Sequence, residues 1–307
     1  MRIACITPDR KHDYLVSTVL SGLKSANIQF EVSNSGNGCV QNLNDYEFIQ
    51  YAKDCDYIFA FFGKVRDNSP PKYNLLNNIN AWEKVAYIDG SEWTATAYPL
   101  PNQVLLSMNN ALRRRGEPWI NDHFFRRCKW YFKRECYPDD IDKGIVPLPF
   151  GIVQNTHFDD HNRHYDLFTC FGQLQTGLRS QIYNCEFKDY KVFKKSGIKF
   201  DEYINNLKQS KIGIDAWGGG DCNARLWEII GQGAIPAYQR WHIIMPHDFE
   251  DMKNCIKFDT IDELNMKLRT VLSDYELFKT IQTDCWKHAE LYHTAQARVQ
   301  YMFEVMK

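Results

Sequence analysis

Short apolar runs alternate with stretches of helical period, twice over, and this alternation constrains the fold more than any single residue does. Arg2–Thr7 is a run of the buried-strand type. Leu15, Val19, Leu23 and Ala26 then recur at helical spacing, and Ile28–Val32 predicts a second strand. A helical stretch at Leu43–Ala52 precedes two more buried runs, Asp56–Phe62 and Val85–Ile88. The second half repeats the grammar. Strands are expected at Tyr165–Phe171, Lys211–Asp215 and Ala234–Tyr238, with helices near Thr176–Tyr183 and Asn223–Ile230. Three helical stretches close the chain, and the last puts Ala295, Val299, Met302, Phe303 and Met306 on one face, so it must dock on something. Such βαβ alternation favours parallel, doubly wound sheets, an α/β class.

Between the halves lies Pro147-Leu-Pro-Phe-Gly151, followed by the polar stretch Gln154–His164. Two prolines and a glycine interrupt both strand and helix, so this is the expected hinge. The predicted organisation is one domain over 1–150, a second over 151–290, and a closing helical segment over 291–307. A chain of 307 residues, 44% of them hydrophobic, has the length and apolar content for two cores and is not disordered. No window approaches about 20 uninterrupted apolar residues, so no membrane span is expected. The chain opens directly on a strand-like run without a basic, apolar leader pattern. Its ten cysteines are scattered without a C-x-x-C pair, which suggests reduced thiols and a cytoplasmic location.

The densest chemistry lies in residues 213–238, which read strand, Gly-rich loop, helix, turn, strand. Gly218, Gly219 and Gly220 leave backbone amides unshielded where a helix begins, a geometry that suits a phosphate. Asp221 and Asn223 continue that loop. Arg225, one turn inside the helix, can add a charge-assisted contact. Glu228 follows three residues later on the same face, and its carboxylate can accept hydrogen bonds from the vicinal hydroxyls of a ribose. The plainer alternative is a simple loop followed by a surface ion pair. Trp217, beside the loop, either stacks on a base or packs as an ordinary indole.

This segment resembles the C-terminal domain of GT-B-fold glycosyltransferases, in particular the group with spore-maturation (CgeB-like) proteins and related family 1 transferases. The similarity rests on Arg225-Leu-Trp-Glu228, Gly233-Ala-Ile-Pro236, the step Phe258-Asp-Thr-Ile-Asp-Glu263, and His293-Thr294 with Arg298. Upstream, Phe132-Lys-Arg-Glu135, Pro147–Gly151 and Phe171-Gly172 with Thr176 and Arg179 are similar to the interdomain segment and the first loop of the nucleotide domain. The resemblance implies two Rossmann-like domains facing across a cleft, with a closing helix that crosses back onto the first. It also implies a nucleotide-diphosphate sugar as donor, a UDP-sugar foremost, bound by Gly172, Thr176, Arg179 and the 217–228 segment. Glu228 would bind the ribose, and Arg179 and Arg225 would neutralise the diphosphate. Retaining relatives carry a Glu eight positions before the ribose-binding one; here that position is Gly220, with Asp221 beside it.

Departure of a nucleoside diphosphate leaves two negative charges, which arginines and helix N-termini can stabilise without a metal. No Asp-x-Asp motif argues otherwise, since Asp139-Asp140 and Asp159-Asp160 are adjacent pairs that diverge on any regular element. His157, His161 and His164 with Asp159 and Asp160 read as a solvated loop rather than a metal site, so no metal or cofactor is expected. An inverting transfer needs a general base, for which Asp89 is the first candidate, Glu92 the second and Asp9 the third. The alternative for Asp89 is a cap on the Asp-Gly turn that follows it. Net charge is −1, which excludes bulk attraction to polyanions. Residues 111–134 nevertheless hold eight basic against two acidic side chains, with Trp119, Phe124, Phe125, Trp130, Tyr131 and Phe132 interleaved. Arg126, Arg127, Lys133 and Arg134 of this window are candidate contacts to an anionic acceptor, and a solvated helix face is the default reading. The expected acceptor is a glycan or glycoconjugate, with duplex DNA carrying a hydroxymethylated base as second possibility. A GT-B-like module that binds nucleotide or glycan without turnover is the rival.

Overall fold

Strands pair in parallel throughout two separate sheets, as the apolar runs require. The computed structural model describes residues 1–8, 13–62, 72–91, 122–153, 163–172, 178–218 and 220–307. The chain divides into two units, one of Met1–Gly151, His242–Pro246 and Ala295–Lys307, the other of Ile152–Trp241 and His247–Thr294.

The first unit holds a six-stranded sheet in the order β2-β1-β3-β4-β5-β6, with β1 Arg2–Ile6, β2 Gln29–Val32, β3 Tyr57–Phe62, β4 Val85–Asp89, β5 Trp130–Lys133 and β6 Val146–Pro147. Residues Ile3–Ile6 and the whole of β4 are buried, because helices cover both faces of a parallel sheet. Two helix starts of this unit carry side-chain oxygen acceptors. The Asp13 side chain accepts from the backbone N–H groups of Leu15 and Val16, and Asn44 forms a capping box with Glu47. The closing helix Ala295–Met306 packs along helix Tyr14–Ser25. Arg298, on that helix, donates through Nε to the Phe150 carbonyl at 3.1 Å.

The second unit holds a five-stranded sheet in the order β11-β10-β9-β7-β8, with β7 Tyr165–Cys170, β8 Val192–Lys195, β9 Ser210–Asp215, β10 Ile235–Gln239 and β11 Ile256–Phe258. Its core joins Leu167, Phe171, Ile212, Ile214, Ile235 and Ile256 to Leu264 and Leu268 of helix Ile261–Ser273. All ten cysteines are free thiols. Among the described residues no helix is long and apolar enough to cross a membrane.

Several elements depart from the sequence reading, among them β5, β6 and β8. β8 and helix Phe200–Lys208 fall where no strand or helix was expected, because β8 is an edge strand ending in two exposed lysines and so lacks a continuous apolar run. The basic window is not a helix face in its described part. A short helix, Asp122–Phe125, leads into β5, which buries Lys133 and is followed by buried Arg134. Arg113, Arg114, Arg115 and Trp119 lie outside the described residues.

Gly22 marks the closest approach between the two helices of the first unit. A Cβ there would stand 2.1 Å from the Ala295 carbonyl oxygen and 2.6 Å from Val299 Cγ2. Gly-to-Ala in a helix interior ordinarily stabilises by about 1 kcal/mol, whereas forced overpacking costs about 1–3 kcal/mol. Gly22→Ala is therefore expected to lower stability in a urea titration, with the sign opposite to that of a free helix.

Candidate functional site

The order β11-β10-β9-β7-β8 sends the chain outward in both directions from the neighbouring strands β7 and β9. Loops that leave the carboxyl ends of those two strands diverge, and doubly wound sheets bind ligands in the crevice so formed. Phe171 and Gly172 follow β7 there, and residues 216–223 follow β9.

Asp215 is the last residue of β9, and Arg225 stands in the first turn of helix Ala224–Gly231. Arg225 Nη1 lies 3.1 Å from Asp215 Oδ1, with the side chains only 12% and 3% exposed. Burial pushes the Asp215 carboxyl up, and Arg225 and Arg179 oppose it. Burial works against the Arg225 charge as well, but Asp215, Tyr203 and Glu228 outweigh it and hold the guanidinium charged. Arg225 Nε is buried and has no hydrogen-bond partner among the described residues. The ring of Phe171 lies under both guanidiniums, 4.6 Å from Cζ of Arg225 and 5.7 Å from Cζ of Arg179.

Arg179 enters from helix Leu178–Asn184 and donates through Nε to the Ala216 carbonyl at 2.9 Å. A Cβ on Gly218 would stand 2.6 Å from Arg179 Nη2 and 2.9 Å from Asn223 Oδ1, so the missing side chain lets the guanidinium lie directly on the loop. Asn223 precedes the helix without capping it, and its amide donates to the Ala216 carbonyl at 3.0 Å. The first-turn N–H groups therefore have no side-chain cap from Asn223 and remain suited to an anion. Gly220 accepts from Gly218 N–H at 3.1 Å, and Trp217 N–H donates to Gln239 Oε1 at 3.3 Å. Glu228 is half-buried one turn beyond Arg225. Burial raises its carboxyl above the ordinary range, against the Tyr203 hydroxyl and Arg225, which lower it.

Of the expected nucleotide-site residues, the structure brings Arg179, Trp217, Gly220, Asp221, Asn223, Arg225 and Glu228 to the crevice strands and their loops. Gly172 is exposed at the end of β7, and Thr176 and Gly219 lie outside the described residues. Glu228 and Arg225 do not form a surface ion pair; the partner of Arg225 is Asp215. Asp215, Phe171 and Tyr203 were absent from the expected site. A charged residue ending a buried apolar run is a visible signal for Asp215, whereas nothing local to Tyr203 announces it.

In the first unit, Asp89 is fully buried, and this corrects its expected role as an accessible base. Its carboxylate accepts from Tyr131 Oη at 2.6 Å and from Ser91 N–H at 2.8 Å, the turn-capping alternative. Lys133 pairs with Asp89 in register on the adjacent strand, with Nζ 3.7 Å from Oδ2. Lys133 and Arg134 are likewise corrected as surface contacts: both are buried, and Arg134 lies over Phe150 with Cζ at 4.7 Å. Arg126 and Arg127 are exposed. Glu92, Asp9, His157 and His161 lie outside the described residues, and His164 packs on Tyr165. Among the described residues no three His, Cys, Asp or Glu side chains form a group that could hold a metal ion.

Removing one partner of a buried ion pair strands the other, at a cost of about 3–5 kcal/mol. Arg225→Ala is therefore expected to destabilise the second unit by about 3 kcal/mol. The double change with Asp215→Asn should recover part of that loss in denaturant titrations.

The sequence of residues 160–304 matches a family model described as glycosyl transferase-like. No curated protein sequence matches the chain. Solved structures share its fold along nearly the whole length. Alr3699/HepE of Anabaena, solved with UDP-glucose, is 11% identical with a TM-score of 0.55, covering 100% of this chain and 99% of its own. A glycosyltransferase from Rickettsia africae is 10% identical with a TM-score of 0.56, covering 100% and 98%. The DNA-modifying enzyme beta-glucosyltransferase is 12% identical with a TM-score of 0.53, covering 99% and 98%. Taken with the two parallel sheets, these comparisons identify a chain of the GT-B fold whose residues 160–304 are similar to the glycosyl transferase-like family.

Proposed function

We propose that the chain transfers a glycosyl group from a nucleoside-diphosphate sugar, a UDP-sugar foremost, to a hydroxyl acceptor. The observation that carries this reading is the placement of Glu228, Arg225 and Arg179 around the uncapped helix start at the carboxyl ends of β7 and β9. Glu228 accepts hydrogen bonds from two ribose hydroxyls. Arg179, seated on Gly218, faces the diphosphate together with the first-turn N–H groups. These donors stabilise the two charges that develop on the departing nucleotide, the work that other transferases give to a bound metal. UDP-glucose in complex with HepE, and uridine diphosphoglucose as substrate of the beta-glucosyltransferase, favour the uridine nucleotide.

A glycan or glycoconjugate is the first acceptor proposed. Exposed Arg126 and Arg127 and the likeness to a DNA-modifying enzyme support a second, a hydroxymethylated base in duplex DNA. Asp89 is enclosed by Tyr131, Lys133 and Ser91, which leaves Glu92 as the sequence-based candidate for the acceptor base.

Calorimetry with UDP and 2′-deoxy-UDP tests the ribose role. Glu228→Gln is expected to weaken UDP about 10-fold or more, the loss of a hydrogen bond to a charged group, and to abolish discrimination between the two ligands. Binding needs the ionised carboxylate, and burial raises its pKa. Wild-type affinity should therefore fall with decreasing pH while still above the ordinary carboxylate range, and a profile flat to pH about 4.3 would remove Glu228 from the ribose. Transfer or hydrolysis of UDP-sugars should persist in EDTA. Intact UDP binding without turnover of any common donor sugar would instead make the chain a binding module. Duplex binding that falls steeply with salt favours the DNA acceptor, and a flat response removes it.

A further inference from the structure

The buried group that this arrangement leaves unexplained is the hydroxyl of Tyr203. Tyr203 lies on helix Phe200–Lys208, is 9% exposed, and sets its ring edge-on to Phe168 with centroids 5.1 Å apart. Packing of that kind asks only for a phenylalanine. The hydroxyl is nevertheless present, inaccessible to solvent, and without a hydrogen bond of normal geometry among the described residues. An unsatisfied buried hydroxyl is unfavourable, so its surroundings should explain it. Tyr203 packs in one buried cluster with Cys170, the last residue of β7, and Ile229, the residue that follows Glu228, and Glu228, Arg225 and Asp215 are charged groups that act on its hydroxyl. Asp215 is occupied by Arg225, and a guanidinium has no acceptor to offer. Of these three described groups, Glu228 is the remaining acceptor.

We propose that Tyr203 is the positioning residue for Glu228, donating its hydroxyl proton to the carboxylate oxygen turned away from the ribose. This rests on the ribose-binding reading of Glu228 given above. The carboxylate sits in a place where burial favours its neutral form, and a protonated Glu228 loses acceptor capacity toward the ribose hydroxyls. A donor on its rear oxygen restores the ionised form and stops the side chain from rotating. Arg225 cannot do this alone, because Asp215 already draws its guanidinium toward the end of β9. Tyr203 needs no contact with the nucleotide itself: it acts through one carboxylate. No group is transferred, and the hydroxyl keeps its proton throughout.

Tyr203→Phe removes the hydroxyl and keeps the ring. UDP affinity of the variant is expected to fall only about twofold at pH 8, where the carboxylate stays ionised but is no longer held in place. At acid pH it should fall about tenfold lower, because losing a hydrogen bond to a charged group moves a carboxyl by about one pH unit. A merely structural role would lower affinity equally at all pH values, and superimposable or parallel pH profiles would overturn the proposal. In the Glu228→Gln background the same Tyr203→Phe change should have no effect on UDP affinity, whereas a residue acting on its own would still show one. Carbon-13 NMR titration of Glu228, assigned by loss of its signal in Glu228→Gln, is independent of ligand. An upward shift of about one unit in Tyr203→Phe supports the pairing even if the wild type binds no UDP, a result that would sink the ribose reading alone. An unchanged titration overturns the pairing whatever UDP does.

Discussion

A carboxylate and a guanidinium taken out of water together persist only if each neutralises the other, and the pair then fixes whatever carries it. Asp215 ends β9 and Arg225 begins the following helix, so their contact ties strand to helix across the glycine loop. With Arg225 so tied, Phe171 lies beneath it, Arg179 lies over the same ring, and Glu228 stands one turn further along. Gly218 allows this arrangement because any side chain there would meet Arg179 and Asn223. The glycine-rich loop is thus more than permissive backbone: it gives a cation close approach to the helix start proposed to receive the diphosphate.

The second consequence concerns electrostatics. Burying Asp215 and Glu228 raises the proton affinity of both, and Arg225 opposes this for both. One guanidinium serving two carboxylates leaves each incompletely stabilised. A neutral donor such as Tyr203 adds stabilisation without adding net charge, which a pocket proposed for a diphosphate needs to keep cationic. The first unit uses the same device for a different end. Asp89, Tyr131 and Lys133 satisfy one another inside the sheet, so their charges hold β4 to β5 and are not presented to solvent.

Much was legible from the chain alone. The paired α/β pattern, the strand runs and the Gly-rich loop before Arg225 and Glu228 all depend on local sequence, because a strand buried on both faces must be apolar and a helix start beside glycines keeps its amides open. The apolar face of the closing helix was equally visible, and it meets helix Tyr14–Ser25 at Gly22. Edge strand β8 was not legible, since an edge carries exposed lysines in place of an apolar run.

What only the tertiary structure decided is which charges face which. From sequence, Arg225 and Glu228 look like partners because they lie three residues apart on one helix. Asp215 takes Arg225 instead, because the loop returns the helix start to the end of β9. Tyr203 reaches the same cluster from a helix whose own sequence gives no sign of it. Lys133 and Arg134 read as part of a basic surface, yet β5 turns them inward. Local sequence carries the period and polarity that choose strand, helix and loop. The partner of a charge is set by strand order and loop return, which bring together residues that are distant in the chain.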